Sequence, residues 1–198
     1  MKLTGFLDSM WTLRTCASFG GRRRASIMVK SCNTLVHRES GLKENIPDWW
    51  KMKFITQLPD VHDNYRCIQP PNFVGKSYKY DLVVPLGDTD TSGRTRHASY
   101  VKYFIDNITI ASHRNFFSIL STTIQDFIIK RLSMVHLSPT LIGDTLTVEC
   151  FVDPQDEMMI HCFVSKDDLI SWYGCLEYYQ NTMEGPEFEP ISHWMDYP

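Results

Sequence analysis

The chain has 198 residues, with 20 Lys and Arg against 23 Asp and Glu, for a net charge of −3. That length suits one domain of ordinary size with an appendage, and a composition of 43% apolar and 13% aromatic residues provides for a core, which excludes whole-chain disorder. The small negative charge gives no electrostatic case for a nucleic-acid partner, and no apolar run reaches the ~18–20 residues needed to span a bilayer.

Charge is unevenly spread along the chain. Residues 1–38 carry Lys2, Arg14, Arg22, Arg23, Arg24, Lys30 and Arg38 against the single acid Asp8, so the remainder is net acidic. Residues 1–30 are also rich in Ser and Thr, which is the composition of a mitochondrial targeting segment. A disordered basic tail on a cytoplasmic protein is the plainer alternative. Residues 31–76 read as an accessory arm or linker. In it Pro47, at a first helical turn, followed by Trp49, Trp50, Phe54 and Ile55 predicts one short amphipathic helix. Pro59, Pro70, Pro71 and Gly75 then punctuate the connection into the first regular strand.

From Ser77 the pattern becomes regular. Tyr78, Tyr80, Leu82 and Val84 alternate with Lys79, Asp81 and Val83, which predicts a strand ending near Pro85. It delivers the run Gly87-Asp88-Thr89-Asp90-Thr91-Ser92-Gly93-Arg94-Thr95-Arg96-His97-Ala98-Ser99-Tyr100. A helix is expected next, from Val101 to about Leu120, with Ser99 as its N-cap. Val101, Phe104, Ile105, Ile108, Ala111 and Ser112 form its buried face. The sequon Asn107-Ile108-Thr109 falls inside this helix and is discounted. Alternating runs over Thr123–Leu137, Thr145–Val152, Met158–Ser165 and Leu169–Tyr179, joined by polar turns, predict a meander of antiparallel strands. Residues 181–198 form a C-terminal tail. One strand, one long helix and then a meander is an α+β arrangement, in which the helix can bury its stripe only on the concave face of a curled sheet.

The six cysteines lack zinc-type spacing and read as reduced, mostly buried thiols. No metal site is expected. There is no G-x-S-x-G elbow and no phosphate-binding loop of the G-x-x-x-x-G-K-[ST] kind. The chemistry-bearing run is therefore the acidic loop. Asp88 and Asp90 could be turn residues bonding their own backbone, or one of them could be a base or nucleophile held ahead of a helix N-terminus, whose free N–H groups would receive a developing oxyanion. Gly93 suits a positive φ or a close backbone approach to a substrate.

The words Asp88-Thr89-Asp90-Thr91-Ser92-Gly93, His97-Ala98-Ser99-Tyr100 and Gly143-Asp144-Thr145-Leu146-Thr147-Val148, in this order and spacing, resemble the hot-dog-fold thioesterases of the hydroxybenzoyl-CoA thioesterase type. The likeness covers about residues 77–180. It implies a curled antiparallel sheet wrapped around one central helix, and hydrolysis of an acyl-CoA or acyl-carrier thioester with coenzyme A present only as part of the substrate. It also implies a homodimer or dimer of dimers with its sites at the subunit interface. Asp90 would then be general base or nucleophile and His97 its assistant, with Gly93, Ser99 and Tyr100 beside the substrate.

The chain departs from the pattern at Arg94-Thr95-Arg96, where the family places apolar residues. The two arginines could pair with substrate phosphates, lie solvated on the surface, or disturb the pocket. A hot-dog hydratase is not favoured, because no Asn-Pro follows Gly87-Asp88. The competing reading is a non-catalytic hot-dog protein that binds an acyl group or joins an assembly.

Overall fold

The computed structural model describes residues 2–7, 10–17, 27–37, 40, 42–55, 70–71, 75–117 and 128–179. They fall into two compact units, one built on residues 1–67 with 189–198 and the other on residues 68–188.

In the first unit β1 (Lys2–Leu7), β2 (Met10–Ala17) and β3 (Ile27–Thr34) form a three-stranded antiparallel sheet in sequence order. The composition of residues 1–30 did not lead us to expect these strands. A low acid content says nothing about pairing. The Trp11-Thr12-Leu13-Arg14-Thr15-Cys16 run alternates as a strand does, and its backbone is paired on both sides, to β1 and β3. α1 (Asp48–Ile55) is a short helix where one was expected, begun by the Pro47 carbonyl, which accepts from the N–H groups of Trp50 and Lys51, but it is not amphipathic, since its apolar residues gather on no one face.

In the second unit β4 (Tyr78–Val83) leads through a single 3-10 turn (Leu86–Asp88) and the acidic loop into α2 (His97–His113). β5 (Ile128–His136), β6 (Thr145–Val152), β7 (Met159–Lys166) and β8 (Leu169–Tyr179) come after it. All pairings are antiparallel, in the order β4-β6-β7-β8-β5. The sheet lays one face on α2. Leu146, Val148 and Cys150 of β6, Ile160, Cys162 and Val164 of β7, and Trp172, Leu176 and Tyr178 of β8 share a core with Tyr100, Tyr103, Phe104, Ile108 and Ala111 of the helix. The early part of the expected strand Thr123–Leu137, the residues around Leu120, the tail 181–198, Pro59 and Cys67 lie outside the described residues.

Two expectations about α2 shift. The helix starts at His97, two residues before Ser99, so Ser99 is a first-turn residue whose hydroxyl donates to the Asp88 carbonyl at 3.0 Å. The buried stripe is Tyr100, Tyr103, Phe104, Asn107, Ile108 and Ala111, while Val101, Ile105 and Ser112 lie at its margin. The stripe takes in polar side chains that each make one hydrogen bond, although Asn107 Oδ1 has none among the described residues. Tyr100 shares a 2.7 Å hydrogen bond with the Thr140 hydroxyl, Tyr103 donates to Asp88 Oδ2 at 2.9 Å, and the Asn107 amide donates to the Val148 carbonyl at 2.7 Å. An apolar-only template cannot anticipate such bonds. The burial of Asn107 agrees with discounting its sequon.

The other face of the sheet is also buried over β6–β8. Phe151, His161 and Tyr173 stack there, with His161 bonded at 2.8 Å to both Tyr173 Oη and Asp153 Oδ2. Cys150, Cys162 and Cys175 are buried free thiols on three neighbouring strands.

Candidate active site

The acidic loop is a turn that its own residues close. Asp90 N–H donates to the Arg94 carbonyl at 2.8 Å and Gly93 N–H to the Asp90 carbonyl at 3.0 Å. Gly93 sits at φ 74, the left-handed conformation expected of it. Asp90 Oδ1 accepts from Ser92 N–H at 2.8 Å, Ser92 Oγ at 2.7 Å and Arg94 N–H at 3.1 Å. These bonds, led by that from the Ser92 hydroxyl, hold the Asp90 carboxyl below the usual carboxylate range although it is fully exposed. Oδ2 takes no hydrogen bond from the described residues. The turn reading and the reactive reading of Asp90 are thus compatible: one oxygen holds the loop and the other is presented to solvent.

Asp88 has a different part. Its Oδ2 accepts from Tyr103 Oη and, at 3.4 Å, from Lys102 Nζ, and its carbonyl accepts from Arg96 N–H and the Ser99 hydroxyl. It ties the loop to the first two turns of α2. Burial, with the Asp88 carboxylate beside it, pushes the Tyr103 phenol above its ordinary value, so it remains a donor.

Arg94-Thr95-Arg96 has three separate roles. Thr95 is buried, its N–H donating to the Thr140 carbonyl at 2.9 Å and its hydroxyl 2.7 Å from that of Thr140. Arg96 turns its guanidinium back onto the carbonyls of Thr89, at 2.9 Å, and Gly87. Only Arg94 is exposed with no side-chain bond to a described residue. Its backbone pairs with Leu141, and Ile142 N–H donates to the Gly93 carbonyl at 2.9 Å, joining the loop to the turn before β6. Gly143 at φ 82 and Asp144, whose Oδ2 accepts from Leu141 N–H at 2.8 Å and whose Oδ1 pairs with Lys166, shape that turn.

His97 opens α2, and Arg96 in the N-cap position makes no side-chain cap bond, so no capping side chain covers the first helical N–H groups. The His97 ring meets His136, at the end of β5, with centroids 4.8 Å apart, and His136 packs on Tyr100 at 5.2 Å. Tyr100 in turn stacks on Trp172 at 5.8 Å. Partial burial, and then the neighbouring His97, push the His136 imidazole below its ordinary value of 6.5. Sequence reasoning missed His136, which stands 39 positions after His97. Its one signal is that it ends the alternating run leading to Ser138-Pro139. The structure thus gathers Asp90, Gly93, Arg94, Arg96, His97, Ser99 and Tyr100 on one loop and helix start, but it makes Arg96, Ser99 and Tyr100 supports of that loop and helix.

No family model matches the chain, and no curated protein does. Among solved structures, the 12:0-ACP thioesterase from Umbellularia californica is similar at a TM-score of 0.71 and 11% identity, over 90% of this chain and 65% of that one. An acyl-ACP thioesterase from Bacteroides thetaiotaomicron is similar at 0.61 and 14% identity, over 90% of this chain and 66% of that one. The chain therefore spans just under two thirds of the length of these relatives in shape. At such identities the likeness is one of fold, and the fold is the hot-dog fold.

Proposed function

We propose that this hot-dog protein hydrolyses acyl thioesters, releasing a carboxylic acid and a thiol, with Asp90 as the carboxylate that attacks the acyl carbon or activates water. The observation that carries the reading is the Asp90 carboxylate, pinned through Oδ1 and open at Oδ2, on the loop that runs into the start of α2. A pinned carboxylate loses little motion on reaching its target. The N–H groups at the start of α2 are suited to the thioester oxygen as it gains charge. Gly93 leaves room for the substrate beside the loop. The likeness in fold to proteins named as acyl-ACP thioesterases supports the same chemistry.

Arg94 is the residue available to a phosphate of coenzyme A or of a carrier arm, since Arg96 is engaged with the loop. The unit works as a homodimer, or a dimer of dimers, in this reading. This is supported by β5 being an edge strand with Ile129 and Met134 exposed on it, and by His136 at its end packing on His97 at the start of α2. The test is thiol release from acyl-CoAs and acyl-carrier thioesters of increasing chain length. Turnover is expected on medium or long chains. Retention of acyl-CoA without thiol release at any length would favour the non-catalytic acyl-binding alternative.

A further inference from the structure

The Asp90 carboxylate is held below the ordinary range by three hydrogen bonds on one oxygen. Once acylated, a carboxylate no longer carries the charge with which to take a proton from water. If Asp90 attacks the acyl carbon, the water that later frees the acid must give its proton to another group.

The groups placed to take it are His97 and His136. Their rings are in edge-to-face contact at 4.8 Å, one on the first residue of α2 and the other on the last residue of β5, and both keep access to solvent, His136 from a partly buried position. Two imidazoles in contact resist holding two protons, because the second charge would sit against the first. The other neighbours of His136 cannot supply a countercharge. Tyr100 presents its ring to it while its hydroxyl is bonded to Thr140, and Trp172 is its register neighbour on β8. No carboxylate among the described residues bonds or pairs with either histidine.

We propose that His136 is a catalytic residue of this site, paired with His97, and that the pair takes the proton of the water that hydrolyses the acyl intermediate on Asp90. The role rests on the acyl-thioester hydrolase reading. Asp90 Oδ2 bonds to the acyl carbon as the carbon–sulfur bond breaks and the thiolate leaves. Water then bonds to the same carbon, one of its protons passes to the neutral imidazole pair, and the bond to Asp90 breaks to restore the carboxylate. The free acid departs, and the proton on the pair goes to the thiolate. The net change is thioester plus water to acid plus thiol, with no other reactant.

The experiment measures kcat for thiol release from pH 3 to 9 in the wild-type chain, His136→Gln and His97→Gln, with histidine Cε1–H resonances titrated over the same range. His136→Gln is expected to lower kcat by about 100-fold, the size of a general-base contribution. His97→Gln removes the neighbouring charge, so the titration midpoint of His136 and the acid limb of kcat are both expected to move up in pH together. An unchanged circular dichroism spectrum would attribute the losses to chemistry and not to unfolding. Wild-type turnover that persists in His136→Gln with the same acid limb would overturn the role and leave the hydrolase reading standing. A wild-type chain that releases no thiol would overturn both.

Discussion

A single carboxylate oxygen separates the two readings of Asp90 that its sequence leaves open. Oδ1 closes a turn and Oδ2 is free, so Asp90→Asn, whose amide oxygen can still accept the bonds from Ser92 and Arg94, removes the charge and keeps the turn. Gly174 is a second site where one atom matters. A Cβ there would lie 2.2 Å from the Trp172 ring, which is itself backed by Tyr100. Gly174→Ala is expected to cost about 1–3 kcal/mol, as overpacked cores do, and to lower the melting temperature. His136 carries a pH effect of definite sign. Its imidazole is pushed down from 6.5 to about 4 in the folded chain, so the unfolded chain binds the extra proton first. The stability it contributes is complete above pH 6.5 and is lost as the pH falls towards 4. Melting curves of His136→Gln should therefore fall less steeply over that window than those of the wild type. Asp90, Gly93 and Asp144 were legible because turn chemistry is local. His136 was not, because its neighbour His97 lies across the fold.

At the scale of elements, the loop and the helix start form one piece. Arg96 holds the carbonyls of Gly87 and Thr89, Thr95 is locked to Thr140, and Asp88 reaches Tyr103. The sequence showed the departure at Arg94-Thr95-Arg96 but not its meaning, since the partner of Thr95 is 45 residues away. The two arginines should separate on substitution. Arg96→Gln is expected to cost roughly 1–3 kcal/mol through the loss of its two charged hydrogen bonds, read as a lower melting temperature and faster amide exchange in the loop. Arg94→Gln should leave the melting temperature in place and raise KM for acyl-CoA several-fold, more at low salt than at high salt. Equal effects of the two substitutions on KM alone would refute this division. The antiparallel strands around α2 were legible from hairpin turns and alternation, but not their order, since a meander would set β5 beside β6 and β5 instead pairs with β8 at the sheet edge. The rotation of the helix stripe towards Tyr100, Tyr103 and Asn107 was not, because those side chains are buried by virtue of distant hydrogen-bond partners.

For the molecule as a whole, the hot-dog unit was readable in three short words and their spacing, whereas the three-stranded sheet of the first unit was hidden behind a tail-like composition. The proposed dimer would use the edge at β5. Light scattering is expected to report at least twice the 23.1 kDa chain mass, and a monomer at micromolar concentration would contradict an interface beside His136. None of these tests reaches the central claim as directly as thiol release measured side by side for the wild type and Asp90→Asn on one medium- or long-chain acyl-CoA. Hydrolysis through Asp90 predicts turnover by the wild type and a loss of at least ~100-fold in the variant, within the span of acid–base and nucleophilic contributions, with the melting temperature retained. Equal turnover by the two proteins would contradict it.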